Sequence, residues 1–83
     1  MYYVYVLRNS RSTLYIGVTK DLRRRFEEHK NGKSKYTSEY DKWELVYYEA
    51  YKSKLDATDR EHKLKHFGSS YAKLKKRLEN SLT

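Results

Sequence analysis

Two apolar runs near the N terminus, residues 2–7 and 14–18, are separated by the polar stretch 8–13, a pattern that reads as an antiparallel β-hairpin. Both runs are rich in β-branched and aromatic residues, which lose rotamer freedom in a helix and pack well on a pleated surface. In the second run Leu14, Ile16 and Val18 share one face, leaving Tyr15 and Gly17 on the other. A glycine in mid-strand marks a bulge or the close approach of another group. Tyr5, on the first strand, can lie beside Tyr15 in a suitable register, and such a pair can equally be cross-strand packing.

The rest of the chain divides at its polar stretches. Residues 21–30 have helical spacing, and Asn31-Gly32 supplies a stop. Residues 32–42 are polar and basic, as a surface loop would be, and residues 43–51 return to strand composition. Ser53 followed by Asp56 resembles a capping box opening a helix that runs to about His66, and Gly68-Ser69-Ser70 breaks and restarts it. Tyr71, Leu74, Leu78 and Leu82 then form a core-facing stripe. The order β-β-α-β-α-α predicts an α+β fold, a small three-stranded antiparallel sheet flanked by helices. At 83 residues the chain is expected to form one domain, 1–83, near the lower size limit for a hydrophobic core.

The absence of cysteine excludes disulfides and thiolate metal sites, so any metal must take oxygen or imidazole ligands, and a reducing cytoplasm is the expected setting. The 2–7 run is too short to span a membrane, and no basic segment precedes it. A soluble protein without a membrane partner is expected. Nineteen Lys and Arg against eleven Asp and Glu give a formal charge of +8, which favours a polyanionic partner. Ten tyrosines against two phenylalanines and one tryptophan mark half-exposed aromatic surfaces, with hydroxyls free for water, phosphate or base edges.

Ionisable residues occupy positions where apolar ones belong. On the first helix Leu22 and Phe26 define the inward stripe, and Arg25 and His29 fall within about 60° of it. On the second, Ala57 and Leu64 mark the buried line, and Glu61 lies roughly 40–60° from both. Inward charges are costly unless paired. Two explanations stand: an Arg25–Glu61 ion pair, or a shared site for metal and phosphate.

Tyr3-Val4-Tyr5, Tyr15-Ile16-Gly17, Arg25 ten positions beyond Tyr15, His29 four further on and Glu61 on a later helix together resemble the GIY-YIG nucleases, in particular the small single-domain bacterial branch. The likeness extends over nearly the whole chain. It implies a three-stranded antiparallel sheet with flanking helices and one-metal hydrolysis of DNA strands. On that basis the catalytic candidates are Tyr5, Tyr15, Arg25, His29 and Glu61. One tyrosine would deprotonate or orient the attacking water while the other positions it, and Arg25 would stabilise charge on the phosphoryl oxygens. Glu61 would bind one Mg²⁺ or Mn²⁺. His29 would orient the phosphate or assist proton transfer, or else serve only helix packing. Two departures stand out: Tyr3 occupies the place of the family's opening glycine, and Val18 stands where some relatives carry a lysine that would help activate the tyrosine.

Arg8, Arg11, Lys20, Arg23, Arg24, Lys33 and Lys35 cluster in sequence around these positions and are candidates for holding a phosphate backbone, DNA first and RNA second. No element resembles a base-reading helix, so recognition of shape or of single strands is expected in place of direct sequence readout. With the resemblance, the expectation is a structure-selective endonuclease linked to DNA repair or recombination, with a protein partner or the substrate's shape supplying targeting. The run Lys73, Lys75, Lys76, Arg77 reads as a solvated face. The rival reading is a non-catalytic nucleic-acid-binding module that works with a partner.

Overall fold

The computed structural model describes residues 1–31 and 42–83. Gly32, Lys33, Lys35 and the loop expected around them lie outside these residues, apart from Lys42. The elements run β1 (Tyr2–Asn9), β2 (Leu14–Thr19), α1 (Leu22–Lys30), β3 (Trp43–Tyr51), α2 (Lys54–His66) and α3 (Gly68–Arg77). The fold is the α+β arrangement expected, with three strands in the order β2-β1-β3 and both neighbours antiparallel to β1.

The central place of β1 explains its composition. Val4, Tyr5, Val6 and Leu7 are buried in succession because helices cover both faces of the strand, so its apolar run is continuous rather than alternating. On one face Val4, Val6 and Ile16 pack with Ala57 and Leu64 of α2 and with Leu74 and Leu78 at the end of α3. Tyr71 and Leu82 extend this core. Each valine, leucine or isoleucine among them contributes about 1.5–3 kcal/mol by leaving water. The other face carries Tyr3, Tyr5, Leu7, Tyr15 and Gly17, in the register Tyr5↔Gly17 and Leu7↔Tyr15, and α1 lies against it. On β3 the pairing shifts by one residue between Val6↔Tyr47 and Leu7↔Leu45, so Val46 bulges without a partner on β1.

Local chemistry fixes the element ends. Asn9, at 4% exposure, accepts the backbone N–H groups of Arg11 and Thr13 on Oδ1 and closes the hairpin, where Ser12 takes a positive φ of 64°. Asp21 caps α1 by accepting the Arg24 N–H, and Asn31 closes it. Ser53 stands at the N-cap of α2, but its hydroxyl makes no capping bond. The capping box therefore does not form; Asp56 is one methylene shorter than the Glu or Gln that reaches back in such a box. Phe67, in an extended conformation, separates α2 from α3, and Gly68 already belongs to the third helix.

A polar tie on the α2 side went unread in the sequence. Glu49 accepts the hydroxyls of Tyr47 and Tyr51, each at 2.5 Å, and a two-pronged contact from Arg60 at 2.9 and 3.1 Å. Burial pushes the Glu49 carboxyl up, yet these donors hold it below the ordinary carboxylate range. The same burial and the nearby carboxylate push the Tyr51 phenol up to about 12. The alternation of Tyr47, Glu49 and Tyr51 on one strand face was the available signal. No helix among the described residues is long and apolar enough to cross a membrane.

Gly17 is needed because the Tyr5 ring lies directly over it. A Cβ built there meets Tyr5 Oη at 2.5 Å and Cζ at 2.6 Å, and the ring cannot retreat from a site where it is 1% exposed. Gly17→Ala should cost about 1–3 kcal/mol in urea denaturation. On a Tyr5→Leu background that penalty should shrink to within about 0.5 kcal/mol; an undiminished penalty would show that the contact is not its source.

Candidate active site

The face opposite the apolar core gathers four of the five expected catalytic side chains. β1 presents Tyr5 and β2 presents Tyr15, their ring centroids 6.1 Å apart. Helix α1 turns Arg25 and His29 toward them, as its wheel predicts, because Leu22 and Phe26 set its inward stripe. Arg25 Nε donates to Tyr5 Oη at 3.3 Å, and His29 Nε2 lies 2.9 Å from the same oxygen. The His29 ring also packs on Tyr15, centroid to centroid 4.6 Å.

The electrostatics distinguish the members. His29 is fully buried, and burial followed by the nearby Arg25 charge lowers its pKa to about 4. It is neutral at pH 7. With Arg25 donating to Tyr5, the arrangement that satisfies all three groups has Tyr5 giving its own proton to Nε2. Burial pushes the Tyr5 phenol up to about 12, against the lowering effect of Arg25. Desolvation works against the charge on Arg25, but hydrogen bonds to Glu28 and Tyr5 outweigh it and raise its pKa. The Arg25 guanidinium also interacts with the Tyr15 hydroxyl.

One expectation is corrected. Arg25 forms its ion pair with Glu28, at 3.0 Å and one helical turn away, rather than with Glu61; a partner three residues along the same helix is already at hand when the helix forms. His29 does not face solvent; it lies behind Tyr5, with Nε2 against the Tyr5 hydroxyl.

Glu61 is on α2, across the β2 edge from the tyrosines. Its half-buried carboxylate pairs with Lys65 at 3.5 Å, and the Lys65 ammonium stands 5.8 Å from the centroid of the Tyr15 ring. Lys65 was not singled out in the sequence, although its place one turn after Glu61 was the signal. Among the described residues no three His, Cys, Asp or Glu side chains cluster as a ready-made metal cage.

The basic residues divide. Arg11, Lys20, Arg23 and Arg24 are exposed, and Arg24 makes a loose pair with Glu28 at 3.7 Å. Arg8 pairs in register with Leu14, so it lies on the α3 side of the sheet, where it donates to Ser12 and borders a hollow with Tyr71 and Lys75. It is not beside Tyr5. In the basic run of α3, Lys75 lies over the Tyr71 ring and Arg77 is close to Tyr47.

Residues 1–76 match the GIY-YIG catalytic domain model. The chain belongs to the GIY-YIG family. The GIY-YIG domain is a nuclease domain, and the small relatives carry the name UPF0213. A UPF0213 protein of Staphylococcus epidermidis is 40% identical over 65 residues, covering 77% of this chain and 79% of that protein. A UPF0213 protein of Haloquadratum walsbyi is 38% identical over 76 residues, covering 90% and 81%. The solution NMR structure of a UPF0213 protein from Bacillus halodurans is similar in fold, with a TM-score of 0.58 and 34% identity over 94% of this chain and 85% of that one. In this GIY-YIG chain the first signature triplet is Tyr3-Val4-Tyr5 on the central strand. The second, Tyr15-Ile16-Gly17, is on the edge strand.

The neutral His29 ties stability to pH. An unfolded histidine takes up its proton near pH 6.5, whereas folded His29 resists it down to about 4. The contribution is fully present above about pH 6.5 and is lost as pH falls toward 4, amounting to roughly 2–3 kcal/mol. Urea midpoints measured from pH 7 to pH 4 should show that fall. His29→Leu should remove most of it while leaving the part due to carboxylates such as Glu49, and an identical pH profile in the variant would refute the assignment.

Proposed function

We propose that this chain is a metal-dependent endonuclease that hydrolyses phosphodiester bonds in DNA, selects substrates by their structure and serves DNA repair or recombination, with residues 1–83 acting as one nuclease unit. The observation that supports it best is the convergence of two phenols, a guanidinium and an imidazole on one face of the sheet, with the Glu61–Lys65 pair beside Tyr15. A module that only binds phosphate gains nothing from an inward carboxylate at such a place.

On this reading the two phenols do different work, and the difference in their burial supports it. Tyr5 keeps its proton, engaged with His29 and Arg25, and so positions its neighbours. Tyr15 is half-buried, closer to solvent and flanked by the cations of Arg25 and Lys65. It is the phenol that would take a proton from the attacking water. Lys65 thus offers the positive field that a lysine at position 18 would give in some relatives. Arg25 would also stabilise charge developing on the phosphoryl oxygens.

The donors suit a hard divalent cation. Glu61 offers one carboxylate, 23% exposed and held only by a long contact with Lys65, which leaves the remaining positions to water and phosphate oxygens as Mg²⁺ or Mn²⁺ prefers. When bound, such an ion supplies Lewis-acid stabilisation of the scissile phosphate. Glu61 is the residue that would hold it.

Purified protein incubated with flapped, branched and single-stranded DNA should cut only when Mg²⁺ or Mn²⁺ is added. Tyr15→Phe, Arg25→Lys and Glu61→Gln should each slow cutting by about a hundredfold or more while circular dichroism shows the fold intact. DNA binding without cleavage of any substrate in either metal would favour the non-catalytic module instead.

A further inference from the structure

Beyond the tyrosines of the site, the same sheet face carries two more that neither the fold nor the chemistry requires. Tyr48 of β3 pairs in register with Tyr5, so it stands next to the site on the sheet face that holds Tyr5. It is 52% exposed, a large apolar area for a ring in a strand. Tyr3 meets it edge to face, centroids 5.9 Å apart, which fixes the orientation of both rings. The two rings border a hollow of about 500 Å³ lined also by Leu22, Phe26 and Leu45, with Lys20 and Arg23 at its exposed edge and between them Asp21, whose carboxylate is engaged in capping α1.

An exposed aromatic platform with cations at its rim matches one chemistry closely. A base has a π-face that stacks on a tyrosine ring, and its phosphate on either side meets a lysine or arginine. In a straight duplex the bases are stacked on one another and unavailable, whereas a single strand or an unpaired arm presents them. We infer that Tyr48 and Tyr3 form a stacking platform for an unpaired nucleotide of a single-stranded nucleic acid, with Lys20 and Arg23 holding the adjoining phosphates. The inference deepens the nuclease reading by giving it a substrate class. It also places the Tyr3 departure from the family's glycine in a role, since a glycine there could not form half of the platform.

The test uses binding alone, in EDTA, so that it stands whether or not the protein cuts. A single-stranded DNA oligonucleotide with 2-aminopurine at successive positions should be quenched on binding wild-type protein and not on binding Tyr48→Ser. Tyr48→Ser should weaken single-strand affinity about five- to a hundredfold. Affinity for a blunt duplex of equal length should change less than twofold. Tyr48→Phe should restore both affinity and quenching, and Tyr48→Leu, apolar but without a π-face, should restore neither. Lys20→Gln with Arg23→Gln should make the salt dependence of single-strand binding shallower by one to two units of logarithmic slope. Unchanged single-strand affinity in Tyr48→Ser would overturn the inference, as would an equal loss on duplex or rescue by leucine. So would a Tyr48-dependent dimer in sedimentation with no effect on DNA.

Discussion

The Tyr5 side chain is the joint on which the rest depends. The hydroxyl end of its ring lies over Gly17, fixing how β1 and β2 approach, and its hydroxyl receives Arg25 while engaging His29, fixing how α1 sits on the sheet. Without that contact the helix has little else to anchor it, since five of its nine residues are Arg, Lys or Glu outside the Leu22, Arg25, Phe26, His29 stripe. A polar joint holds where an apolar one would be expected because every buried donor and acceptor in it has a partner. The same groups that build the contact are those the proposed chemistry needs, so stability and site geometry rest on one set of atoms.

The two sheet faces divide the labour that this arrangement forces. The α2 and α3 face carries nearly all the aliphatic burial, from Val4 and Val6 to Leu74 and Leu78, and the Glu49–Arg60 contact reinforces it at the β3 end. The opposite face keeps Leu7, Leu22 and Leu45 but is otherwise built of aromatic rings, one imidazole and cations. A chain of this size has few apolar residues to spare. Concentrating them on one side frees the other to hold ionisable groups without unravelling the fold.

What could be read in advance follows the same division. Strand alternation separated Leu14, Ile16 and Val18 from Tyr15 and Gly17, and the helical wheel turned Arg25 and His29 inward, because both depend on backbone periodicity alone. Period two also placed Arg8 with Val6 on the α3 side, a consequence overshadowed by its nearness in sequence to the site. The Arg25–Glu28 pair was legible by the same periodicity, since Glu28 stands three residues along the same helix, and was passed over in favour of the more distant Glu61. The bulge at Val46 and the central position of β1 depend on strand pairing, which no local pattern records. Tyr48 illustrates the limit: its ring is one of ten until the register sets it next to Tyr5.

Two phenols so close together cannot be interchangeable. A charge on Tyr15 raises the Tyr5 pKa further, by direct repulsion and through their shared hydrogen bonding. Solvent and cations separate the two as well: Tyr5 is buried and shares Arg25, while Tyr15 is only half-buried and adds Lys65 from another helix. His29 strengthens the asymmetry, because a neutral imidazole accepting the Tyr5 proton has no use for a Tyr5 anion. Its burial, which at first looks like removal from the chemistry, is part of what holds the inner phenol's proton in place, and on the proposed reading it leaves the work at the water to the outer ring.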